Sequence, residues 1–143
     1  MSTKKRVATV RILVSGHASL THSPRLQAIL GELNRLESSA KVPKHNGWLL
    51  GMLHTTRALD TTLREVLAHK GWLEPKHTGL GSYLIEFKQM SVLTEGERSK
   101  WQGSIVDKRN KFMHTAGAIP TQLENDAIQS EMEACLTIIL GRV

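Results

Sequence analysis

From Ser23 to the end of the chain, apolar residues recur every three or four positions, a period that helices satisfy and strands do not. Ser23-Pro24 makes an N-cap and first-turn pair, and Leu26, Ile29, Leu30, Leu33 and Leu36 follow on one face to about Ala40. The turn-rich segment Lys41-Val42-Pro43-Lys44-His45-Asn46-Gly47 leads into a longer helix, expected from Trp48 to His69. Its apolar arc holds Trp48, Met52, Leu59, Leu63, Val66 and Leu67, and Lys70-Gly71 closes it. Gly71, Pro75, Gly79 and Gly81 mark a loop, after which Tyr83, Leu84, Ile85, Phe87 and Met90 read as a short buried helix. Thr94 with Glu97, and Thr121 with Glu124, each form the Thr-x-x-Glu capping box that opens a helix. The last helix is expected to reach about Leu140, with Leu123, Ala127, Ile128, Met132, Ile138 and Ile139 inward and Glu124, Asp126, Glu131 and Glu133 outward. The expected fold class is all-α.

The first 22 residues break this pattern. Ala8, Val10, Ile12 and Val14 alternate with Thr9, Arg11 and Leu13, which is strand periodicity. A short N-terminal β-strand arm is therefore expected, and a lone strand needs a partner such as its counterpart in a second subunit. The arm is also basic: residues 1–31 carry Lys4, Lys5, Arg6, Arg11 and Arg25 and no acid, so most of the net charge of +6 lies there. Such an arm fits either of two roles, holding phosphate backbones by counterion release or keeping the chain in solution. The expected division is a basic arm over 1–22 and a helical domain over 23–143.

A chain of 143 residues has room for one domain with a real core, and 40% hydrophobic against 22% charged residues argues against disorder throughout. The single cysteine, Cys135, excludes an internal disulfide and a thiolate zinc cluster, and its neighbours Met132, Leu136 and Ile139 make it a packing residue. No apolar run is long enough to span a bilayer, so no membrane partner and a reducing, cytoplasmic location are expected. The seven histidines include no His-x-x-x-His pair, so neither a metal nor another cofactor is expected. No Ser-His-Asp or Cys-His arrangement suggests itself.

Chemistry concentrates in Lys108-Arg109-Asn110-Lys111-Phe112-Met113-His114, at the end of the helix that Thr94 opens. Arg offers a forked, permanently charged donor array for phosphate oxygens, and His gives and takes a proton near neutral pH. At about 100° per residue, Trp101, Ile105, Phe112 and Ala116 share a stripe with Arg109 in its middle, where a guanidinium needs a partner. Asp60, which with Thr56 falls inside the apolar arc of the long helix, is either that partner or an acid at the edge of the buried face. Thr56 reads as a hydroxyl bonded to its own helix. His54, Arg57 and Arg64 face away from the core, as solvated surface or as walls of an RNA path. His114 lies about 140° round the helix from Arg109, so one straight helix cannot aim both at one atom. Either the helix bends between them or a second copy completes the site. Asn110 and His114, four apart, share a face.

The run from Arg109 to His114 resembles the Arg-polar-x-x-x-His signature of HEPN domains, with Asn110 in the polar position. The resemblance implies a HEPN-like bundle of about five helices and a metal-independent endoribonuclease, a toxin or an anti-phage defence enzyme, whose active site forms where two copies meet. It implies that His114 moves the proton of the RNA 2′-hydroxyl or of the leaving 5′-oxygen, that Arg109 stabilises the phosphorane, and that Asn110 fixes the imidazole or touches phosphate. Lys108 and Lys111 would hold neighbouring phosphates. The implied partners are RNA, a second copy of the chain, and an antitoxin or defence-complex subunit. HEPN toxins paired with nucleotidyltransferase antitoxins carry a Tyr two residues after the motif His; Ala116 stands there, so silencing by modification of a tyrosine at that position is not available. Two alternatives stand beside the enzyme. One is a non-catalytic HEPN-like module that binds RNA, nucleotide or protein within a defence complex; the other is a basic helical RNA chaperone that depends on its N-terminal arm.

Overall fold

Val7, Val10 and Val14 stand three and four positions apart, and all three are completely buried, while Ile12 is 75% exposed. That is one face of a helix, and in the computed structural model, which describes residues 1–143, Thr3–Gly16 form helix α1. The expected β-strand arm is absent, and no strand occurs anywhere in the chain. Val10 and Val14 obey both the two-residue and the helical period, so alternation alone could not decide. A lone strand leaves its backbone groups unpaired, whereas a helix satisfies its own and offers Val7 to the core as well. The Ser2 hydroxyl caps the helix by accepting from the Lys5 N–H at 3.2 Å.

The remaining elements are α2 (Ala18–Thr21), α3 (Leu26–Ser39), α4 (Lys44–Lys70), α5 (Leu80–Gln89), α6 (Glu95–Trp101), a π-helical stretch Gln102–Asp107, α7 (Lys108–His114) and α8 (Gln122–Arg142). Segment α6, the π stretch and α7 run on without a break, so the expected bundle of about five helices is corrected to seven helical rods. Two additions explain the difference, α1 in place of a strand and the short α2 that His17 caps by accepting from the Ser19 N–H at 3.1 Å.

The long α4 packs along α3 and against α8, and α1 closes the bundle across α3 and α8. Ile29, Leu33 and Leu36 of α3 meet Met52, Leu59, Leu63, Val66 and Leu67 of α4 in the centre. Helix α4 starts four residues before Trp48 because Gly47 permits a tight return from α3; a Cβ there would lie 2.2 Å from the Val42 carbonyl oxygen. Gly71 ends α4 in the left-handed region at φ 73, a conformation that favours glycine. Both capping boxes form: Thr94 accepts from the Glu97 N–H and Thr121 from the Glu124 N–H, each at 3.1 Å.

Helix α8 buries Ile128, Met132 and Ile139 as expected, and departs from the expected face at Leu123 and Ala127, which are exposed. Leu123 is 78% exposed, and the buried residues are Ile128, Gln129, Met132, Cys135, Leu136, Ile139 and Leu140, with Asn125 set against Gly51. Burial pushes the Cys135 thiol far above the ordinary range, as suits a packing residue. The acids of α8 hold neighbouring elements. Glu131 accepts from the Trp101 indole N–H at 2.9 Å, Glu133 pairs with Arg6 at 3.0 Å, and Glu124 faces Lys108 at 3.6 Å. Arg11 likewise pairs with Glu37 of α3 at 3.0 Å. No helix is long and apolar enough to cross a membrane.

Replacing Val10 by Ala should lower stability in urea unfolding by about 2 kcal/mol, from lost burial and the cavity left behind. Ile12→Ala should change it by less than about 0.5 kcal/mol. Equal losses at the two positions would contradict the helical packing of α1.

Candidate functional site

The motif residues follow the π stretch, whose turns take an extra residue. Phases reckoned along one straight helix therefore do not carry from α6 into α7. Trp101, Ile105 and Phe112 remain buried, but Ala116 lies exposed beyond the helix end and Arg109 sits half-buried at the edge of the apolar face.

There Arg109 joins Glu32 of α3 and Thr56, Arg57, Asp60 and Thr61 of α4 around an open cleft of about 310 Å³. No apolar side chain lines it. Glu32 gathers the cations on its own side: His54 Nδ1 is 2.7 Å from one carboxylate oxygen, while Arg35 and Arg57 approach the other at 3.6 and 3.9 Å. Thr56 is buried, and its hydroxyl donates into its own helix to the Met52 carbonyl at 3.0 Å. The Thr61 hydroxyl, by contrast, has no partner.

Asp60 and Arg109 face the same cleft without pairing. No carboxylate comes within ion-pairing distance of the Arg109 guanidinium, and no cation comes that close to Asp60. The charges still feel one another. Burial pushes the Asp60 carboxyl above its ordinary value, and the positive charges of Arg109 and then Arg64 pull it part of the way back. Behind it the buried Tyr83 hydroxyl is also raised, by burial first and by the Asp60 charge second, with Arg64 opposing both. Asp60, Tyr83, Arg64 and Arg109 thus share one electrostatic field.

The rest of the predicted set lies outside the cleft. His114 is exposed at the C-terminal end of α7, and Asn110 is exposed and makes no hydrogen bond to it. Lys108 leans towards Glu124, and the Lys111 ammonium lies 5.1 Å from the centre of the Phe112 ring. Because the π stretch precedes Arg109, nothing bends the helix between Arg109 and His114, and α7 keeps them on different sides. The structure therefore brings together Arg109 and Asp60 and leaves Asn110, His114, Lys108 and Lys111 on the outer surface.

Glu32 and Thr61 were not singled out from the sequence, and only a charge beside the α3 stripe marked Glu32. Arg57 lines the cleft, while His54 is largely buried against Glu32. Elsewhere His77 is buried beside Glu86 at 3.2 Å and accepts the Glu74 N–H at 2.9 Å, fastening the α4–α5 loop. No three His, Cys, Asp or Glu side chains converge. The chain matches no protein-family model, no curated protein and no solved structure.

A carboxyl raised in the folded state makes folding less favourable at pH above its folded pKa, and that penalty fades as pH falls through that pKa towards the unfolded value. Asp60→Asn should therefore melt at or above the wild-type temperature near neutral pH, with any advantage shrinking in acid. Thermal unfolding across that range is the check. A clear loss of stability near neutral pH would mean that Arg109 pairs with Asp60 directly.

Proposed function

We propose that the chain is a metal-independent endoribonuclease of HEPN type that acts as a homodimer. The observation that supports this most is the state of Arg109: a half-buried guanidinium, free of any carboxylate partner, opening into a wholly polar cleft. Such a donor fork suits a phosphate whose charge grows in the transition state. His114 follows on the same helix, exposed and without a hydrogen-bonding partner, available for proton transfer.

In the proposed reaction the 2′-hydroxyl oxygen attacks the adjacent phosphorus and the bond to the 5′-oxygen breaks. Arg109 stabilises the equatorial oxygens of the phosphorane, and His114 serves as one of the proton-transfer groups. Asn110 contacts phosphate or the imidazole of a facing copy, and Lys108 and Lys111 hold flanking phosphates. The products are a 2′,3′-cyclic phosphate and a 5′-hydroxyl. One copy turns Arg109 and His114 apart, so the reaction calls for a second copy that brings another motif to the same cleft. A toxin or anti-phage defence enzyme, with RNA as substrate and a silencing or complex-forming partner, is the setting that fits this chemistry.

A second reading has its own support. Within one copy the cleft holds Arg109 and Arg57 but not His114, which is enough to bind a phosphate and not enough to cleave beside it. A non-catalytic RNA- or nucleotide-binding subunit follows if the motif never meets a second one.

Purified protein incubated with cellular RNA in EDTA should produce fragments ending in cyclic phosphate. His114→Ala and Arg109→Ala should each lower the rate by about 10²-fold or more with the fold intact. Binding of RNA by all three proteins without cleavage by any would favour the second reading. Equal cleavage by wild type and His114→Ala would remove His114 from the chemistry.

A further inference from the structure

The cleft holds two opposite charges that the chain itself never joins. Asp60 on α4 and Arg109 on α7 both line it, both are partly withdrawn from water, and they stand too far apart to pair. Holding unpaired charges in a half-buried polar cleft carries a desolvation cost that a bridging group would offset. That group must offer a donor to the carboxylate and an acceptor to the guanidinium. No aromatic or aliphatic side chain lines the cleft, so it gives a nucleobase no stacking platform and suits a sugar–phosphate unit instead. In RNA the 2′-hydroxyl, a donor, lies directly beside an anionic phosphate.

We propose that Asp60 is the general base that accepts the proton of the nucleophilic 2′-hydroxyl while Arg109 holds the neighbouring phosphate. This assignment rests on the ribonuclease reading above and divides its proton transfers between two residues. The O2′–H bond breaks and its proton passes to the Asp60 carboxylate. The freed electron pair forms the O2′–P bond as the P–O5′ bond breaks. The leaving 5′-oxygen takes a proton from the imidazolium of His114 in the second copy, since His114 of the same copy lies outside the cleft. Asp60 then returns its proton to water and His114 takes one back from water, and no oxidant, reductant or metal enters the balance.

The surroundings of Asp60 support this role. Arg109 faces it from α7, Arg64 and Arg57 lie on its own helix, Tyr83 approaches from α5, and Glu32 stands across the cleft on α3. Burial makes Asp60 a stronger base than a free aspartate, and the positive charges of Arg109 and then Arg64 oppose that shift. Glu32, the other carboxylate of the cleft, is already engaged with His54, Arg35 and Arg57.

Cleavage of a short RNA by wild type, Asp60→Asn, Asp60→Glu and His114→Ala, measured against pH, tests the assignment. Asp60→Asn should slow cleavage by about 10²- to 10⁴-fold and abolish the acid limb of the kcat/KM profile. Asp60→Glu should recover part of the rate. In the His114→Ala background, a ribo-oligonucleotide should bind more tightly than its 2′-deoxy counterpart, and adding Asp60→Asn should narrow that difference in affinity. Thermal unfolding of each variant separates lost chemistry from lost fold. Cleavage by Asp60→Asn at the wild-type rate, or with the acid limb intact, overturns the base and leaves the ribonuclease reading standing. A wild type that cleaves no RNA overturns both.

Discussion

The two-pronged contact between Glu97 and Arg142 ties the end of α8 to the start of the helix on which the candidate site depends. Arg142, at the end of α8, donates to both oxygens of Glu97 at 2.7 and 3.0 Å and to the Val92 carbonyl at 2.9 Å. The same carboxylate accepts the Thr94 N–H in the capping box. Hydrogen bonds from Arg142 first, and from Thr94, hold its carboxyl down at about 2. Past Trp101, whose indole is tied to Glu131, the helix changes pitch over Gln102–Asp107. That change of pitch lets Ile105 and Phe112 stay buried while Arg109 emerges at the cleft rather than under the core.

Partition of charge then gives the cleft its character. Glu32 collects three cationic or titratable partners, and the acids of α8 take Arg6, Lys100 and Lys108. With most acids so occupied, Asp60 and Arg109 are left facing one space without a direct bond. Open pairs at a surface contribute little to stability, so the arrangement is poorly explained as a device for holding α4 to α7. The helices are in contact, and both α4 and α7 bury apolar side chains, Phe112 among them, in the common core.

Features fixed within a few residues were legible in the sequence. Both Thr-x-x-Glu boxes, the Gly71 stop and the Thr56 hydroxyl bonded into its own helix need only local chemistry, and all are present. Features fixed by neighbours distant in the chain were not. Val10 and Val14 fit two periods, and only the core that receives Val7 selects the helix. Leu123 reads as a buried residue by its spacing, yet it precedes the part of α8 that enters the bundle and faces outward. The π stretch carries no compositional mark, so a helical wheel placed Arg109 in mid-stripe. Glu32 depends on a fold that opens α3, α4 and α7 onto one cleft, which no spacing within α3 reveals. The joint placement of Asp60 and Arg109 was half legible: each stood out as a charge in an apolar arc, but neither their common cleft nor their separation could be read.

Regularity in α7 has the largest consequence for chemistry. Between Arg109 and His114 the helix is unbroken, and its geometry holds the two side chains about 140° apart. Rotamers of a histidine cannot reverse that angle, and unwinding the last turn would cost α7 the hydrogen bonds that place Phe112 in the core. Proton transfer and phosphate binding at a single phosphorus therefore have two solutions. Either a second copy supplies the imidazole, or a residue already in the cleft does part of the work. The proposed mechanism uses both, with the Asp60 carboxylate on one side of the phosphate and an imported imidazole on the other. This division requires only that the second copy reach the mouth of an open cleft, a much weaker geometric demand than superposing two complete motifs on one atom.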